Sequence, residues 1–245
     1  MPKKVLIVGG SYFIGKAMTD AFLQNGFAVT LLNRGSKRID RTWQLNCDRN
    51  DENALKQVLA GKVFDWVVDV SGLNRLQMEK LLSALELSFV EKFLFISSSS
   101  VYAVDELNPP YRETDELGEN SYWTDYGRNK IEAEAYLFSA LANTEIKLTI
   151  LRPPYVYGEN NHVQRESFVF RHALQNKPII LPKKDFKLQF IYAPDLANTA
   201  LALLSQEQNQ HEIYNVGNAQ SISAEDVYKR QCKARVEDGC ARAVA

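Results

Sequence analysis

Between Lys3 and Arg152 the apolar pattern changes period repeatedly, from short runs rich in Val, Ile, Leu and Phe to longer stretches with helical spacing. A strand buried on both faces reads as a near-continuous apolar run, and regular alternation of such runs with helices leads to a parallel sheet covered on both sides. The runs fall at 4–9, 28–33, 43–47, 64–70, 93–97 and 147–152, and each is expected to be a strand buried on both faces. Helices are predicted at 13–24, ended by Asn25-Gly26, at 51–59, ended by Gly61, and at 76–87 and 126–141. Right-handed crossovers then give an α/β fold with a doubly wound parallel sheet.

Beyond Gly158 the alternation loosens. A helix is predicted at 165–175, strands near 179–181 and at 188–192, and a helix at 193–204, which together suggest a smaller lobe whose chain crosses back to the sheet. Residues 227–245 differ again, with five basic residues against two acidic ones and no sustained apolar period. We expect them to add little to a core, as a loose tail or a replaced C-terminus.

Composition narrows the classes of partner. With 29 Lys+Arg against 30 Asp+Glu the formal charge is −1, so whole-chain electrostatics give no case for a nucleic acid or an acidic membrane. Cys47, Cys232 and Cys240 form neither a disulfide framework nor a zinc spacing, and His162, His172 and His211 show no paired spacing. The expectation is no metal, reduced thiols and a cytoplasmic location. The histidines read as surface residues and Cys47 as a small buried apolar group. The apolar run Val5 to Val8 is too short for a signal segment or a membrane span.

The chemistry starts at Gly9-Gly10-Ser11-Tyr12-Phe13-Ile14-Gly15, between the first strand and the first helix. A glycine turn there brings a pyrophosphate onto the positive end of a helix, although Tyr12 occupies the position of the middle glycine. A purely structural turn is the alternative. At the end of the second strand an acidic residue would hold ribose hydroxyls and a basic one would accept a 2′-phosphate. The chain has Asn33-Arg34-Gly35, followed by Lys37 and Arg38, which favours NADP over NAD, with a solvated basic loop as the alternative. Asp48, past the third strand, is placed to face an adenine amino group or to serve near the start of the next helix.

Tyr126 and Lys130 stand four apart, on one helical face. Tyr12 and Lys16 share that spacing, but only Tyr126 follows a strand ending in Ser97-Ser98-Ser99-Ser100-Val101-Tyr102. A serine hydroxyl and a phenol would then meet at the carboxyl edge of the sheet, where open α/β folds bind ligands. A phenol acting as base near neutral pH needs its pKa lowered, which a neighbouring ammonium favours. A hydrogen-bonding strand end is the plainer reading of the serine run. Arg152-Pro153-Pro154-Tyr155-Val156-Tyr157-Gly158 is expected to end regular pairing in a rigid loop, and the segments around Asp195 and Asn215 read as structural turns.

With these motifs in order, residues 3–226 resemble the extended short-chain dehydrogenase/reductases, the NAD-dependent epimerase/dehydratase family. The resemblance implies a Rossmann domain binding NAD(P) over 1–160, a partial substrate lobe over 161–226 and an atypical tail over 227–245. It assigns catalysis to Ser98, Tyr126 and Lys130, and cofactor contacts to Gly9, Phe13, Ile14, Gly15, Asp48, Ser71 and Pro153; with Ser11, Tyr12, Asn33, Arg34, Gly72, Tyr126 and Lys130 these make up the expected cofactor site. It matches the Asp195 and Asn215 segments to C-terminal family signatures. The implied substrate is a nucleotide-linked sugar and the implied assembly a homodimer through the helices at 76–87 and 126–141. Two departures stand out. Tyr12 is shared in kind with an atypical branch, some members of which have lost redox activity or bind RNA, and 227–245 does not read as the family's continuation. Family dehydratases carry two acids where this chain has Ser99-Ser100, which points to an epimerase or reductase. A dinucleotide sensor or RNA-binding protein is the alternative.

Overall fold

The computed structural model describes residues 1–163, 166–175, 177, 187–207, 210–223, 225–226 and 229. The first half runs β1 (Lys4–Val8), α1 (Phe13–Gln24), β2 (Ala28–Asn33), β3 (Trp43–Asn46), α2 (Glu52–Leu59), β4 (Trp66–Asp69), α3 (Arg75–Ala84), β5 (Lys92–Ile96), α4 (Thr124–Leu141) and β6 (Lys147–Arg152). There follow β7 (Tyr155–Tyr157), α5 (Glu166–Leu174), β8 (Lys187–Leu188), β9 (Phe190–Tyr192), α6 (Ala193–Ser205), β10 (Glu212–Asn215) and β11 (Ile222–Ser223). Seven strands form one sheet in the order β10-β6-β5-β4-β1-β2-β3. Every pairing in it is parallel, as the doubly wound reading requires. The predicted strand near 179–181 and most of the tail, with Cys232 and Cys240, lie outside the described residues.

Two apolar cores flank the sheet. On one face Met18 and Phe22 of α1 and Leu196, Leu201 and Leu204 of α6 cover Val5, Ile7, Leu31 and Val68. On the other, Leu55 of α2, Met78 and Leu81 of α3 and Leu137 of α4 cover Leu6, Val67, Phe93 and Leu148. Each such side chain contributes about 1.5–3 kcal/mol on burial, which holds the strands in place independently of any ligand. Among the described residues no helix is long and apolar enough to cross a membrane.

Several boundaries differ from expectation. β3 is not buried on both faces: it is the sheet edge, and Trp43 is 78% exposed. The run 64–70 contracts to Trp66–Asp69; Asp65 still donates its N–H to Lys4 O at 2.9 Å and accepts from the Glu91 N–H at 2.8 Å, while its carboxylate takes the Lys4 N–H at 2.6 Å. The helix expected at 76–87 ends at Ala84, before a separate 3-10 turn at Leu87–Phe89. After Pro153-Pro154 the chain is not simply a loop; it pairs again, as β7 beside β9. The run 188–192 divides between two small sheets, β8 pairing with β11 and β9 with β7. Cys47 is only partly buried, and that burial raises its thiol pKa.

The strand order reverses between β1 and β4, which places a crevice beyond their carboxyl ends. The turn leaving β1 is very tight. Gly9 has φ +89°, and a Cβ on Gly15 would lie 1.9 Å from the Gly9 carbonyl oxygen. Since that neighbour is backbone, Gly15→Ala must push α1 off β1. We expect it to cost roughly 2–4 kcal/mol, lowering the melting temperature by about 5–15 °C in calorimetry; an unchanged melt would contradict this packing.

Candidate active site

At the crevice the β1 and β4 exits touch: a Cβ on Gly9 would lie 2.6 Å from Ser71 Cβ. α2 and α3 begin with side-chain caps, from Asp51 to the Ala54 N–H and from Asn74 to the Gln77 N–H. α1 begins at Tyr12 with no side-chain cap and no acid in its first turn. Its first amides thus have the character of an anion site. Tyr12 has the ordinary extended angles φ −136° and ψ 153°, while the left-handed step falls on Phe13 at φ +46°. Position 12 therefore needs no glycine for its backbone. Its ring is half exposed, with the Lys37 ammonium 5.3 Å from its centroid. Lys16, the partner in the decoy spacing, pairs instead with Asp20.

The second strand's exit is tied to this turn. Asn33 Nδ2 donates to Ser11 Oγ at 2.7 Å, and Asn33 Oδ1 accepts from the Gly35 N–H at 2.7 Å. Arg34 is exposed. Asp48 is also exposed and accepts from both the backbone and the side-chain amide of Asn50. The backbone bond, the side-chain amide and the charges of Arg34 and Lys80 hold its carboxyl below the usual range. The helix cap itself is Asp51, not Asp48.

Tyr126 and Lys130 come to the neighbouring strand ends as the helical spacing predicts. α4 lies directly on the 3-10 turn Ser99–Val101, and a Cβ on Gly127 would be 2.5 Å from the Ser100 carbonyl oxygen. Asn120 Nδ2 donates to that same carbonyl at 3.0 Å. Tyr126 is 40% exposed, whereas Lys130 is 4% exposed. The Lys130 Nζ donates to Gly72 O at 2.6 Å and Ile96 O at 2.7 Å, and lies 5.9 Å from the centroid of the Tyr126 ring. Burial pushes the amine down to about 8; Asp69 works against this, Arg49 with it, and Glu134 against it. Ser98 Oγ accepts from the Ser100 N–H at 3.2 Å, which leaves its O–H able to donate. Pro153 O accepts from the Ser99 N–H at 2.9 Å, joining the β5 and β6 exits.

Two buried ion pairs were not anticipated. Arg49 grips Asp69 through two bonds, of 2.8 and 2.7 Å, and its Nη1 also donates to Ser71 Oγ at 3.0 Å. Glu134 holds Arg152 at 2.6 Å and accepts from Ser97 Oγ. Arg152 Nη1 in turn donates to the Tyr102 hydroxyl, which donates to Asn215 Oδ1 at 2.7 Å. The signals were present: Asp69 ends a run of apolar strand residues, and Glu134 is four residues beyond Lys130. Asn215 is therefore part of a network rather than a plain turn residue. Trp123 lies 6.3 Å from the Tyr126 ring and 6.0 Å from the Tyr155 ring. His162 is exposed, but His211 accepts from the Leu148 N–H at 3.2 Å and so has a structural partner.

Residues 5–217 match the profile of the NAD dependent epimerase/dehydratase family. The chain belongs to this family. Among relatives, it is 28% identical over 249 residues to the chloroplast stem-loop binding protein of 41 kDa b of Arabidopsis thaliana, covering 95% of this chain and 63% of that protein. It is 32% identical over 177 residues to an N-acetyl-alpha-D-glucosaminyl-diphospho-ditrans,octacis-undecaprenol 4-epimerase of Escherichia coli O157:H7, covering 66% of this chain and 51% of that protein. The chain thus spans between half and two thirds of the length of these curated relatives. The structure of UDP-glucose 4-epimerase from Thermotoga maritima, with UDP-glucose, superposes with a TM-score of 0.82 at 18% identity, covering 98% of this chain and 84% of that one. At that identity the likeness is one of fold.

For this member of the epimerase/dehydratase family, burial of Lys130 has a measurable consequence. An amine held at about 8 in the fold and near 10.4 when unfolded binds more protons in the unfolded chain across that window. Stability therefore rises with pH between the two values. Relative to Lys130→Met, the native chain should gain on the order of 3 kcal/mol in unfolding free energy from pH ~7 to pH ~10.5, measured by urea denaturation. A constant difference would mean that the fold does not lower the pKa of the amine.

Proposed function

We propose that the chain is an NAD(P)-dependent epimerase or reductase of a nucleotide-linked sugar, with Tyr126 as its acid/base. The observation that carries this reading is the buried Lys130 ammonium beneath the Tyr126 ring, at the carboxyl ends of β4 and β5. A buried cation is costly, and its place beside a solvent-reaching phenol in the crevice is that of a group kept for chemistry. The phenol must move from near 10 to near 7, worth about 4 kcal/mol, and an adjacent ammonium supplies attraction of that kind.

The residues fit a dinucleotide. The backbone packing at Gly9 and Gly15 and the uncapped start of α1 suit a pyrophosphate, with Ser11, Tyr12, Phe13 and Ile14 lining the turn. Asn33, Arg34 and Asp48 would face the adenosine end, and Ser71, Gly72, Pro153, Tyr126 and Lys130 the nicotinamide end. Arg34 favours NADP through a charge-assisted fork to a 2′-phosphate. When bound, the nicotinamide supplies hydride acceptance and return.

Tyr126 takes the proton from a sugar hydroxyl as its carbon is oxidised and gives it back on reduction. Ser98 donates to the same oxygen, and Lys130 favours the phenolate. The Trp123 and Tyr155 rings offer an apolar wall beside Tyr126 for a sugar's C–H face. Ser99 and Ser100 carry no acid to expel water, which supports epimerisation or reduction over dehydration. The reading includes a cytoplasmic enzyme, a homodimer through α3 and α4, a substrate lobe within 161–226 and a tail at 227–245 that adds little to the core. The alternative, a dinucleotide sensor or RNA-binding protein, is not favoured; for the RNA version a formal charge of −1 gives no whole-chain electrostatic case.

Calorimetric titration of the cofactor-stripped protein with NADPH and NADH, followed by turnover of UDP-hexoses, tests the assignment. Tyr126→Phe is expected to lower turnover about 10²–10⁴-fold with dinucleotide affinity retained; unchanged turnover would remove Tyr126 from the mechanism. Arg34→Ala is expected to weaken NADPH by about tenfold while sparing NADH. An unaltered affinity ratio would refute phosphate pairing at Arg34.

A further inference from the structure

Arg49 and Asp69 stand apart from the residues assigned above. Asp69 is fully buried and ends β4, while Arg49 follows β3, from which β2 and β1 separate β4 in the sheet, and reaches Asp69 beyond their ends. Asp69 Oδ1 accepts not only from Arg49 but also from the Ser71 N–H at 3.1 Å and the Gly72 N–H at 2.8 Å. It therefore sets the peptide planes of the turn whose next carbonyl, Gly72 O, receives Lys130 at 2.6 Å. Ser71, held by Arg49 at 3.0 Å, is the residue against which Gly9 packs. As a stabiliser the pair is imperfect, because Arg49 Nε is buried without a hydrogen-bond partner.

We propose that the Arg49–Asp69 ion pair is a positioning device for Lys130: it fixes the carbonyl that holds the ammonium and balances the field around it, in register with the glycine turn. Its bearing on catalysis rests on the reading of Lys130 as the partner of Tyr126. The groups that face the Lys130 amine are Asp69, Arg49 and Glu134, the last with its own partner Arg152, and the titratable phenol of Tyr126. Within the pair the charges cancel. Removing Arg49 leaves a carboxylate that holds Lys130 protonated to higher pH, and removing Asp69 leaves a guanidinium that deprotonates it earlier.

The test follows Lys130 itself. In full-length protein carrying ¹³C-labelled lysine, the Lys130 signal is identified by its loss in Lys130→Met and titrated from pH ~6 to ~11. Arg49→Gln is expected to move its midpoint up and Asp69→Asn to move it down, each by about half a unit or more, with Arg49→Gln/Asp69→Asn returning near the native value. Midpoints that do not move, or that move the same way, overturn the proposal. Should Asp69→Asn not fold, Arg49→Lys decides: it keeps the charge and should hold the native midpoint while Arg49→Gln raises it, and equal shifts overturn the proposal. The readout needs no substrate. Opposite shifts without turnover of any UDP-hexose would defeat the enzymatic reading and keep this one; Tyr126-dependent turnover with unmoved midpoints would do the reverse.

Discussion

The Lys130 ammonium is tolerated inside the protein only because carbonyl oxygens replace its water, and the layout of the crevice follows from that demand. Taking a cation out of water costs several kcal/mol unless acceptors meet it at close range. The acceptors are Gly72 O and Ile96 O, at the exits of two adjacent inner strands. For α4 to deliver Lys130 there, it must rest on the turn that follows β5, and a side chain at position 127 would prevent this, since a Cβ there would be 2.5 Å from Ser100 O. Tyr126 precedes that contact by one residue and so emerges at the crevice. The exposure of the phenol and the burial of the amine are two results of one helix placement.

Around Lys130 the charges are arranged in pairs. Arg49 neutralises Asp69 on the β4 side, and Arg152 neutralises Glu134 on the β6 side. The two pairs cancel, which leaves one unbalanced positive charge on Lys130, the charge a phenolate at Tyr126 would complete. The second pair also reaches outward. Arg152 contacts the Tyr102 hydroxyl and the Glu113 carbonyl, and Asn215 of β10 donates its N–H to Glu113 Oε1 at 2.7 Å. The strand that returns from the second half of the chain is thereby linked to the helix that carries Tyr126 and Lys130.

What the sequence made legible was local. Period switching marked the sheet, β3 included, because inner strands have no solvent face; only the expected burial on both faces failed for β3, an edge strand in which Leu45 packs against the core while Trp43 stays in water. Tyr126 and Lys130 were readable since both lie on one turn of one helix. Arg49 and Asp69 were not, for they lie 20 residues apart on different strand exits and meet only once β1 and β2 are seated between β4 and β3. Glu134 stands four residues beyond Lys130, a spacing that passed unread, and its partner Arg152 belongs to a strand whose neighbourhood no local pattern specifies.

The Tyr12 departure shows how a motif should be read physically. A glycine is required where φ is left-handed or where backbone approaches closely, and at position 12 the first condition is absent, the left-handed step being carried by Phe13. The side chain at 12 turns outward to the half-buried Lys37, which ties the loop carrying the exposed Arg34 and Arg38 to the glycine turn through an aromatic ring. On the proposed reading the two ends of the dinucleotide site thus differ in kind. At the nicotinamide end Lys130 is buried, held by two carbonyls and flanked by the Arg49–Asp69 and Arg152–Glu134 pairs, while Tyr126 reaches solvent. The adenosine end is exposed and held by few bonds, where a single substitution changes binding by about a kcal/mol without disturbing the fold. Cofactor choice is then free to vary in the loop after β2, while the chemistry of Lys130 cannot change without moving β4, β5 and α4 together.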